Sequence, residues 1–589
     1  MTCRIVYNIA MYIDVVPNRN SPPAVLLRET RRVGNRTVKK TVANLSDCPP
    51  EAVEALRLAL RGVALVPAEN TYAVERSLPH GHVELVLKMM RQLGVDTLLA
   101  SRPCQQRDLV MAMIAQRLTS PCSKLATVRQ WGATTLSEQL QVQSADENDL
   151  YGSLDWLLER QSRIEGKLAK RHLGEGARVW YDVSSSSYHG RCCPLAARGH
   201  NRDKESLTCI VWGMLADVQG RPIAVQVYPG NTGDPATVPD QVEKLREQFG
   251  LERVVLVGDR GMLTQARIEE LREHPQLGWI SALRSESIRA LVNQDAIQLS
   301  LFDEQNLAAI TSDLYPGERL MVCFNPLLAE DRKRTRKELL EATEKELDKI
   351  VAEVNHRTTK PLKAAEIGVK VGKKINRFKV AKHFVLDIGD DHFAYERNTR
   401  RIEEEAQLDG IYVIRTSESE QSLSAPDAVR VYKNLAQVEL AFRCIKSLDI
   451  RIRPIHHRTE DHVKAHVLLC MLAYYVEWHL RKALRSVLFE DEELDQARWS
   501  RDPVAKAQPG ETVQKKKQTR QTAQGWPVHS LQSLMKEMAT RCKNLCRVGE
   551  GKNAASFTTF TEPTAFQKHV FELIEQWKDS DASVTECAQ

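Results

Sequence analysis

The order of strand-like and helix-like segments between residues 177 and 290 restricts the fold more than any other feature of the sequence. Three strand-like runs come first, and a helix, a strand, a helix and a strand follow: VWYDVSSS, LTCIVWGMLAD, PIAVQVYPGN, TVPDQVEKLREQF, RVVLVGD, TQARIEELREH and GWISALR. The second run is almost wholly apolar, as expected of a strand that is covered on both faces. A short turn from Asp217 to Gly220 joins it to the third run as a hairpin. The order predicts an α/β layout with a mixed sheet.

Two carboxylates accompany strands in this pattern. Asp182 lies within or at the end of the first strand, and Asp259 follows the fourth strand, between Gly258 and Arg260. We expect these two strands to be adjacent and parallel, which would bring both carboxylates to one edge of the sheet. Carboxylates that close repel each other, and a divalent cation is the usual relief. The pattern therefore predicts a cation site, although an Asp at a strand end, taken alone, is more often a turn or a helix cap.

A third acid is expected from the helix that the apolar spacing predicts over residues 426–448. Glu439 lies among the apolar residues of this helix, where a single acid is poorly placed. Tyr432, Glu439 and Lys446 are seven residues apart, and seven residues make nearly two helical turns. An aromatic side chain, an acid and a base therefore lie along one line of the helix. An acid that holds a metal and is flanked by groups that hold phosphate and base would need this arrangement.

Together these features resemble the DDE transposases of bacterial insertion sequences. The resemblance rests on the strand order, the Asp of the first strand, GDRG after the fourth strand, a long insertion and a helical Glu within Y-x6-E-x6-K. It is strongest for the branch with a Y-x2-R-x3-E-x6-K signature and a large insertion before the Glu. It covers residues 177–480, and the segments RPCQQRDLVMAMIAQRL and RIRPIHHRTEDHVKAHVLLCMLAYYV also look like that branch. The resemblance implies an α/β RNase H-like catalytic core with an inserted α+β domain.

The resemblance also implies a reaction, a cofactor and partners. Asp182, Asp259 and Glu439 would be the acidic triad and would bind Mg²⁺ or Mn²⁺. Water would first free a 3′-OH at the end of the element, and that 3′-OH would then attack target DNA, so one site would serve both steps. The partners would be double-stranded DNA, at the transposon ends and at the target, and a second copy of the chain in a synaptic homodimer.

Four residues are expected to contact DNA. Tyr432 and Lys446 match the signature of the family branch, and Arg260 would lie near phosphate. The arginine of the signature is Leu435 in this chain. Arg443, one turn beyond Glu439, is therefore the candidate for the contact that the signature arginine makes.

Changes of pattern along the chain divide it into regions. Short β-like runs with a basic face predict a strand-rich start, and helical spacing follows as far as Gly176. We expect these first two regions to recognise the end of the element. The predicted regions are an N-terminal strand-rich module (1–75), a helical DNA-binding region (76–176), the first part of the core (177–290), an insertion domain (291–425), the second part of the core (426–485), and a C-terminal linker and closing module (486–589) in which 500–526 is predicted to be disordered.

The composition restricts the class of protein. The net charge of +6 permits nucleic-acid binding without requiring it. The 13 cysteines have no framework spacing and are typical of reduced thiols. The most apolar run, VLLCMLAYYV at 467–476, has about half of the roughly 20 residues that a membrane span needs, and the first residues lack the pattern of an export signal. We therefore expect a cytoplasmic, nucleoid-associated protein without a membrane partner.

Other chemistries fit the sequence less well. SSSS at 184–187 lacks the G-x-S-x-G that surrounds a serine nucleophile, and Asp182-Val-Ser184 lacks the second acid of haloacid-dehalogenase-like phosphatases. The cysteines near 192 and 542 do not complete a four-ligand zinc set.

Two basic clusters, at 332–337 and 515–517, are expected to contact phosphate if the chain is a DNA enzyme. Two alternatives to a transposase stay open at this stage. The first is a metal-dependent nuclease without strand transfer, and the second is a catalytically inactive DNA-binding descendant of a transposase. The presence of all three acids favours an active enzyme over the second alternative.

Overall fold

The computed structural model describes residues 10–578 except 20, 34–35, 64–71, 275, 298–301, 303–305, 358, 495–496, 498–499, 506–507 and 549–554. The outermost parts of the first and last predicted regions, 1–9 and 579–589, therefore lie outside the described residues. The chain forms two compact units. The smaller unit is Met1–Ser77 with Lys543–Thr561, and the larger unit is Leu78–Cys542 with Glu562–Gln589.

The described strands and helices are numbered in chain order. The strands are β1 (Ala10–Val16), β2 (Ala24–Val33), β3 (Arg36–Asn44), β4 (Ala73–Pro79), β5 (Ala177–Ser187), β6 (Cys209–Ala216), β7 (Pro222–Pro229), β8 (Val254–Val257), β9 (Leu277–Ala282), β10 (Leu307–Ile310), β11 (Arg319–Phe324), β12 (Phe384–Gly389), β13 (His392–Arg397), β14 (Ile411–Thr416), β15 (Cys542–Val548) and β16 (Ala555–Phe560). The helices are α1 (Pro50–Leu60), α2 (Gly81–Gln92), α3 (Val95–Leu99), α4 (Gln105–Thr119), α5 (Lys124–Arg129), α6 (Leu136–Gln139), α7 (Glu147–Leu158), α8 (Gln161–His172), α9 (Val238–Glu243), α10 (Gln265–Arg272), α11 (Ser285–Asn293), α12 (Pro326–His356), α13 (Ala364–Ile375), α14 (Thr399–Ala406), α15 (Ala425–Lys433), α16 (Ala436–Arg443), α17 (Glu460–Ala483), α18 (Glu511–Thr519), α19 (Leu531–Ala539) and α20 (Ala565–Gln576).

The smaller unit is built from antiparallel strands. The strands β1, β2 and β3 form one sheet in sequence order, as the β-like runs in this part of the sequence predict. A second three-stranded sheet has the order β16-β15-β4. In this sheet the strands close to the C-terminus pair with a strand from the first 80 residues, a pairing that local sequence pattern does not reveal.

An eight-stranded mixed sheet is the centre of the larger unit. Its order is β10-β11-β14-β9-β8-β5-β6-β7. The strands β5, β8 and β9 are parallel to one another, and the remaining neighbours are antiparallel. The predicted parallel pairing of the strand that contains Asp182 with the strand before Asp259 is therefore confirmed. The predicted hairpin of β6 and β7 is also confirmed, and its turn closes with a 2.9 Å hydrogen bond from the Gly220 N–H to the Asp217 carbonyl oxygen.

Both faces of this sheet are covered around β5. Because side chains alternate between the two faces of a strand, Trp180 packs into the apolar cluster that includes α4, α7 and α17. Its neighbours Val179 and Tyr181 pack on the other face, with residues of α9 and α10. All residues of β6 are buried. This double coverage explains the nearly continuous apolar run in the sequence of that strand.

The residues between β9 and β14 make two kinds of structure. The strands β10 and β11 fall in the range 291–425 and extend the sheet next to β14. The helices α12 and α13, with the hairpin of β12 and β13, surround an apolar cluster that contains Leu347, Ile367 and Phe393. The long basic helix predicted at 327–354 is confirmed as part of α12.

The basic clusters that were expected to contact phosphate are partly engaged within the protein. Arg332 donates to the carbonyl oxygen of Leu408 at 3.1 Å, and Arg336 forms an ion pair with Asp409 at 2.5 Å. These contacts connect α12 to the segment that precedes β14. The Arg336 guanidinium is therefore paired within the protein, whereas Arg332 stays exposed at the surface.

The tract 500–526 was wrongly predicted to be disordered, because it contains α18. Lys516 of this helix is 3% exposed. Its ammonium group donates to the carbonyl oxygens of Arg485 at 2.8 Å and Leu488 at 3.3 Å, and it forms an ion pair with Glu492 at 2.7 Å. The helix buries one apolar side chain, Val513, and the ammonium group of Lys516, and so polar a composition hides this structure.

The apolar run at 467–476 lies in α17, and its residues are buried in the main apolar cluster. This outcome confirms the prediction of a buried helix. None of the helices in the described part of the chain combines the length and the apolar character that crossing a bilayer requires.

Candidate active site

Asp182, within β5, and Asp259, just after the end of β8, lie at equivalent distances from the last paired residues of these parallel strands. In the register of β5 and β8, Trp180 pairs with Val257, and each aspartate follows two residues later. Because side chains alternate, Asp182 shares the face of Trp180, which is the face covered by α15 to α17. The negative charge of Asp259 contributes to the raised pKa of Asp182, in agreement with their close approach. The sheet thus brings together the two acids that the sequence predicted as a pair.

Asp182 is a half-buried carboxylate, and the positive charge around it is too small to keep its pKa at the ordinary value. Its Oδ1 atom accepts a hydrogen bond from the Val183 N–H at 2.7 Å. Burial raises the pKa of Asp182 to about 7, and the charges of Asp259 and Glu439 add to this effect. The Val183 N–H and the guanidinium group of Arg202 act in the opposite direction but do not outweigh it.

Asp259 forms a turn with one oxygen and leaves the other oxygen available. Its Oδ1 atom accepts hydrogen bonds from the N–H groups of Gly261 at 2.9 Å and Met262 at 2.8 Å. Within the described part of the chain, Oδ2 has no hydrogen-bond partner. A Cβ atom at Gly258 would lie 3.2 Å from Cγ of Leu263. This glycine therefore serves the packing of the turn.

The helix predicted over residues 426–448 is interrupted between α15 and α16. The indole N–H of Trp180 donates to the carbonyl oxygen of Val431 at 3.1 Å. In a continuous helix this carbonyl would accept from the Leu435 N–H, which instead donates to the carbonyl oxygen of Tyr432 at 3.1 Å. A side chain that takes a carbonyl out of the i→i−4 ladder is an established cause of kinks. The prediction of one continuous helix is therefore wrong.

Trp180→Phe should lower the free energy of unfolding by about 1–2 kcal/mol, because the Val431 carbonyl loses a buried hydrogen bond. We expect altered amide hydrogen exchange at the junction of α15 and α16, measured by mass spectrometry alongside urea unfolding. Trp212→Phe is the matched control, because the Trp212 indole donates to Ser186 Oγ at 3.1 Å on the same sheet. Exchange at the junction that changes equally in both variants would contradict this explanation of the break.

Glu439 and Tyr432 lie near the two aspartates. Glu439 is exposed on α16 and, among the residues that the structure describes, has no side-chain hydrogen bond or ion pair. Its charge nevertheless contributes to the raised pKa of Asp182. Burial raises the pKa of Tyr432 to about 12, and the charges of Asp259 and Glu439 add to the shift. These four side chains form one electrostatically coupled group.

The cations predicted to contact DNA differ in their surroundings. Arg260 and Arg443 are exposed, and Arg260 makes no ion pair with any described residue. Lys446 is 12% exposed. Its ammonium group donates to the carbonyl oxygen of Ser185 at 2.5 Å and forms an ion pair with Asp203 at 3.2 Å. The charge of Lys446 is therefore already engaged within the protein, which its position on the helix line did not indicate.

Another cluster of possible ligands lies next to α16. The side chains of Cys444, Asp449 and Glu477 have ligand atoms that all lie within 4.8 Å of one another, a spacing that the predicted triad does not reach. Arg481 forms ion pairs with Asp449 at 2.6 Å and Glu477 at 2.7 Å. Burial raises the pKa of Cys444 to about 12 and that of Glu477 to about 8. Arg481 and bound protons thus balance the negative charge of this cluster, and we do not assign a metal to it.

Arg202 and Asp203 were not predicted from the sequence. Both lie in the segment GHNRDKES between β5 and β6, which has the composition of an ordinary charged loop. Arg202 donates to the carbonyl oxygen of Val183 and to Asp234, the latter at 2.6 Å. The only signal in the sequence is the position of this charged segment directly after the strand that carries Asp182.

Residues 179–476, just over half of the chain, match the family model described as the Transposase DDE domain. The chain belongs to this family. The matched range begins in β5 and ends in α17, so it includes all three carboxylates of the predicted triad. No curated protein matches the chain.

Membership of the DDE transposase family confirms the resemblance seen in the sequence. The family has an RNase H-like α/β core, which agrees with the mixed sheet around β5 and β8. DDE transposases act on DNA and depend on divalent cations. The positions of the acids in this transposase are therefore relevant to both properties.

Proposed function

We propose that the chain cleaves DNA at the ends of an insertion sequence and joins the freed 3′ ends to target DNA, with Asp182, Asp259 and Glu439 as the metal-binding acids. One observation carries the proposal. The two aspartates each follow, by two residues, the same paired position of adjacent parallel strands, on the face where the Glu439 helix packs.

The three acids fit divalent cations such as Mg²⁺ or Mn²⁺. Their carboxylate oxygens are the hard ligands that these ions prefer. Oδ2 of Asp259 and the carboxylate of Glu439 have no hydrogen-bond partner in the described chain. The pKa of Asp182, raised to about 7, indicates negative charge that the protein alone does not balance. Bound divalent cations would supply Lewis acidity to phosphoryl oxygens and lower the pKa of water.

The residues around the acids would orient DNA. We assign a phosphate contact to Arg260, because it is exposed beside Asp259. Tyr432, whose pKa burial raises further to about 12, is a neutral phenol and would pack against the sugar or base at the end of the element. Arg443 would be a further phosphate contact. The regions 1–75 and 76–176 would recognise the end of the element, and two copies of the chain would hold two ends together near the nucleoid.

The test uses a duplex that contains the boundary of the DNA element encoding this chain. The duplex is supplied already cleaved at its 3′ end, together with a supercoiled plasmid and Mg²⁺ or Mn²⁺. Joining of the labelled end to the plasmid would support a transposase. Cleavage of the intact boundary without joining would indicate a nuclease, and binding without either reaction would indicate an inactive descendant. Reactions with EDTA give the background.

Arg260→Ala should weaken DNA binding and reduce its salt dependence. Each phosphate contact contributes about 0.9 to the slope of log K against log salt concentration, so the slope should fall by about that amount. The measurement is fluorescence anisotropy of the boundary duplex between low and moderate salt. Arg400→Ala is the control, because Arg400 is an exposed arginine on α14 that pairs only locally, with Glu404. An unchanged slope for Arg260→Ala would exclude the contact.

A further inference from the structure

Along part of β5, one edge of the strand has no neighbouring strand in the described part of the chain. Side chains make the hydrogen bonds to its backbone groups there instead. The strand β8 ends opposite Trp180, whereas β5 continues for seven more residues and carries Asp182 in this extension. Backbone groups of alternate residues point to the same edge of a strand. Side chains from other segments make three contacts on this edge: Arg202 to the Val183 carbonyl oxygen, Lys446 to the Ser185 carbonyl oxygen at 2.5 Å, and the Ser187 N–H to Asp203 at 2.8 Å.

Asp203 connects two of these contacts, those of Lys446 and of Ser187. Its side chain is 3% exposed. Oδ1 pairs with Lys446 at 3.2 Å, and Oδ2 pairs with Arg453 at 3.0 Å and accepts the Ser187 N–H. Although burial opposes it, the Ser187 N–H and the charges of Lys446 and Arg453 hold the pKa of Asp203 below its ordinary value. Asp203 is therefore an ionised, buried carboxylate whose two oxygens are both occupied.

We propose that Asp203 is a positioning residue of the active site. It holds Lys446, and with it the helical segment that carries Glu439, against the strand that carries Asp182. Lys446 lies seven residues after Glu439, and its ammonium group contacts Ser185, three residues after Asp182. The distance between these two acids thus depends on Asp203, which itself contacts neither metal nor DNA. This inference rests on the proposed function of the triad.

The proposal gives Lys446 a role other than the phosphate contact expected from the sequence. Burial lowers the pKa of Lys446, and Asp203 acts against this effect. Taking a buried cation away from its partner leaves an unpaired charge, which is strongly unfavourable. The two roles predict different measurements. A phosphate contact affects the salt dependence of DNA binding, whereas a positioning contact affects metal affinity and kcat.

The test compares full-length Asp203→Asn with the unsubstituted protein. Asparagine keeps the size of the side chain and an acceptor for the Ser187 N–H, but it removes the charge that holds Lys446. We expect the Mn²⁺ affinity measured by calorimetry to fall about 10- to 100-fold, as for other groups that orient metal ligands. The value of kcat for cleavage of the boundary duplex should fall in parallel, with KM for DNA nearly unchanged. High Mn²⁺ concentrations should restore part of kcat.

Lys446→Met tests the same link from the other side and remains informative if Asp203→Asn folds poorly. We expect a similar loss of Mn²⁺ affinity. The double variant should lose no more affinity than the more strongly affected single variant, because the two residues act as a unit. A Lys446→Met variant with normal kcat and Mn²⁺ affinity but a salt slope reduced by about 0.9 would make Lys446 a phosphate contact. That result would overturn the proposal.

Glu165→Gln is the matched control for the loss of a buried ion pair. Glu165 is 1% exposed and pairs with Lys244 at 2.9 Å beside β7. This variant should lower the melting temperature and leave Mn²⁺ affinity and kcat unchanged. If Asp203→Asn behaves in the same way, Asp203 is only structural and the proposal is wrong. If the unsubstituted protein neither binds Mn²⁺ nor cleaves the duplex, the proposed function fails, and the proposal for Asp203 fails with it.

Discussion

Asp259→Asn should abolish both end cleavage and strand transfer and leave DNA binding intact. The asparagine oxygen can still accept the N–H groups of Gly261 and Met262, so the turn should form normally. Its amide nitrogen, however, takes the place of Oδ2 and offers neither charge nor a lone pair to a cation. We expect a loss of at least about 10³-fold, the upper range for removal of one preorganised electrostatic group. The measurements are cleavage and joining of a labelled boundary duplex in Mg²⁺, with a gel shift of the same DNA.

The same loss is expected for Asp182→Asn and Glu439→Gln, because one site would serve both steps. Glu270→Gln is the control, since Glu270 is an exposed acid on α10 that pairs with Arg267 within the same helix. Normal rates are expected for this variant. If Asp259→Asn cleaves at the rate of the unsubstituted protein, Asp259 is a turn residue alone and the assignment of the triad is wrong.

Glu318→Ala should lower the free energy of unfolding of the larger unit by about 3–5 kcal/mol. The Glu318 side chain is fully buried and accepts two hydrogen bonds from Arg415 and one from Arg272, each at 2.6 Å. Its removal leaves the buried Arg415 guanidinium without its charged partner, and an unpaired buried charge is strongly destabilising. Urea unfolding followed by tryptophan fluorescence measures the change.

Glu344→Ala is the comparison that separates the effect of burial from the effect of hydrogen-bond geometry on the free energy of unfolding. Glu344 also accepts two hydrogen bonds from one guanidinium group, that of Arg397, at 2.6 Å each. This pair is partly exposed to solvent, so its loss should change the free energy of unfolding by less than about 1 kcal/mol. Equal losses for Glu318→Ala and Glu344→Ala would show that burial does not determine the contribution of such pairs.

The sheet and the pair of aspartates could be predicted from sequence because their signals are local. An apolar run such as Val254–Val257 and the glycine after it mark the end of a strand without reference to distant residues. The order of these runs then suggested that the strands before Asp182 and Asp259 are neighbours. Glu439 was found because an acid within an apolar helical pattern is unusual.

The features that could not be predicted depend on contacts between distant segments. The break between α15 and α16 arises from the indole of Trp180, which is 251 residues before the carbonyl that it contacts. Lys446 and Asp203 are separated by 243 residues. Periodicity describes which face of an element is apolar, but it contains no information on which polar side chain a given charge will meet.

The two oxygens of Asp259 have a consequence for the choice of amino acid at this position. Two N–H groups of the following turn fix Oδ1, so rotation about the Cβ–Cγ bond would break both hydrogen bonds. Oδ2 therefore has a single direction in the folded chain, and the rotational entropy of this carboxylate is lost when the chain folds and not when a ligand arrives. A glutamate has one more rotatable bond and could not keep both the turn and that direction. Rigidity as much as charge requires the shorter acid.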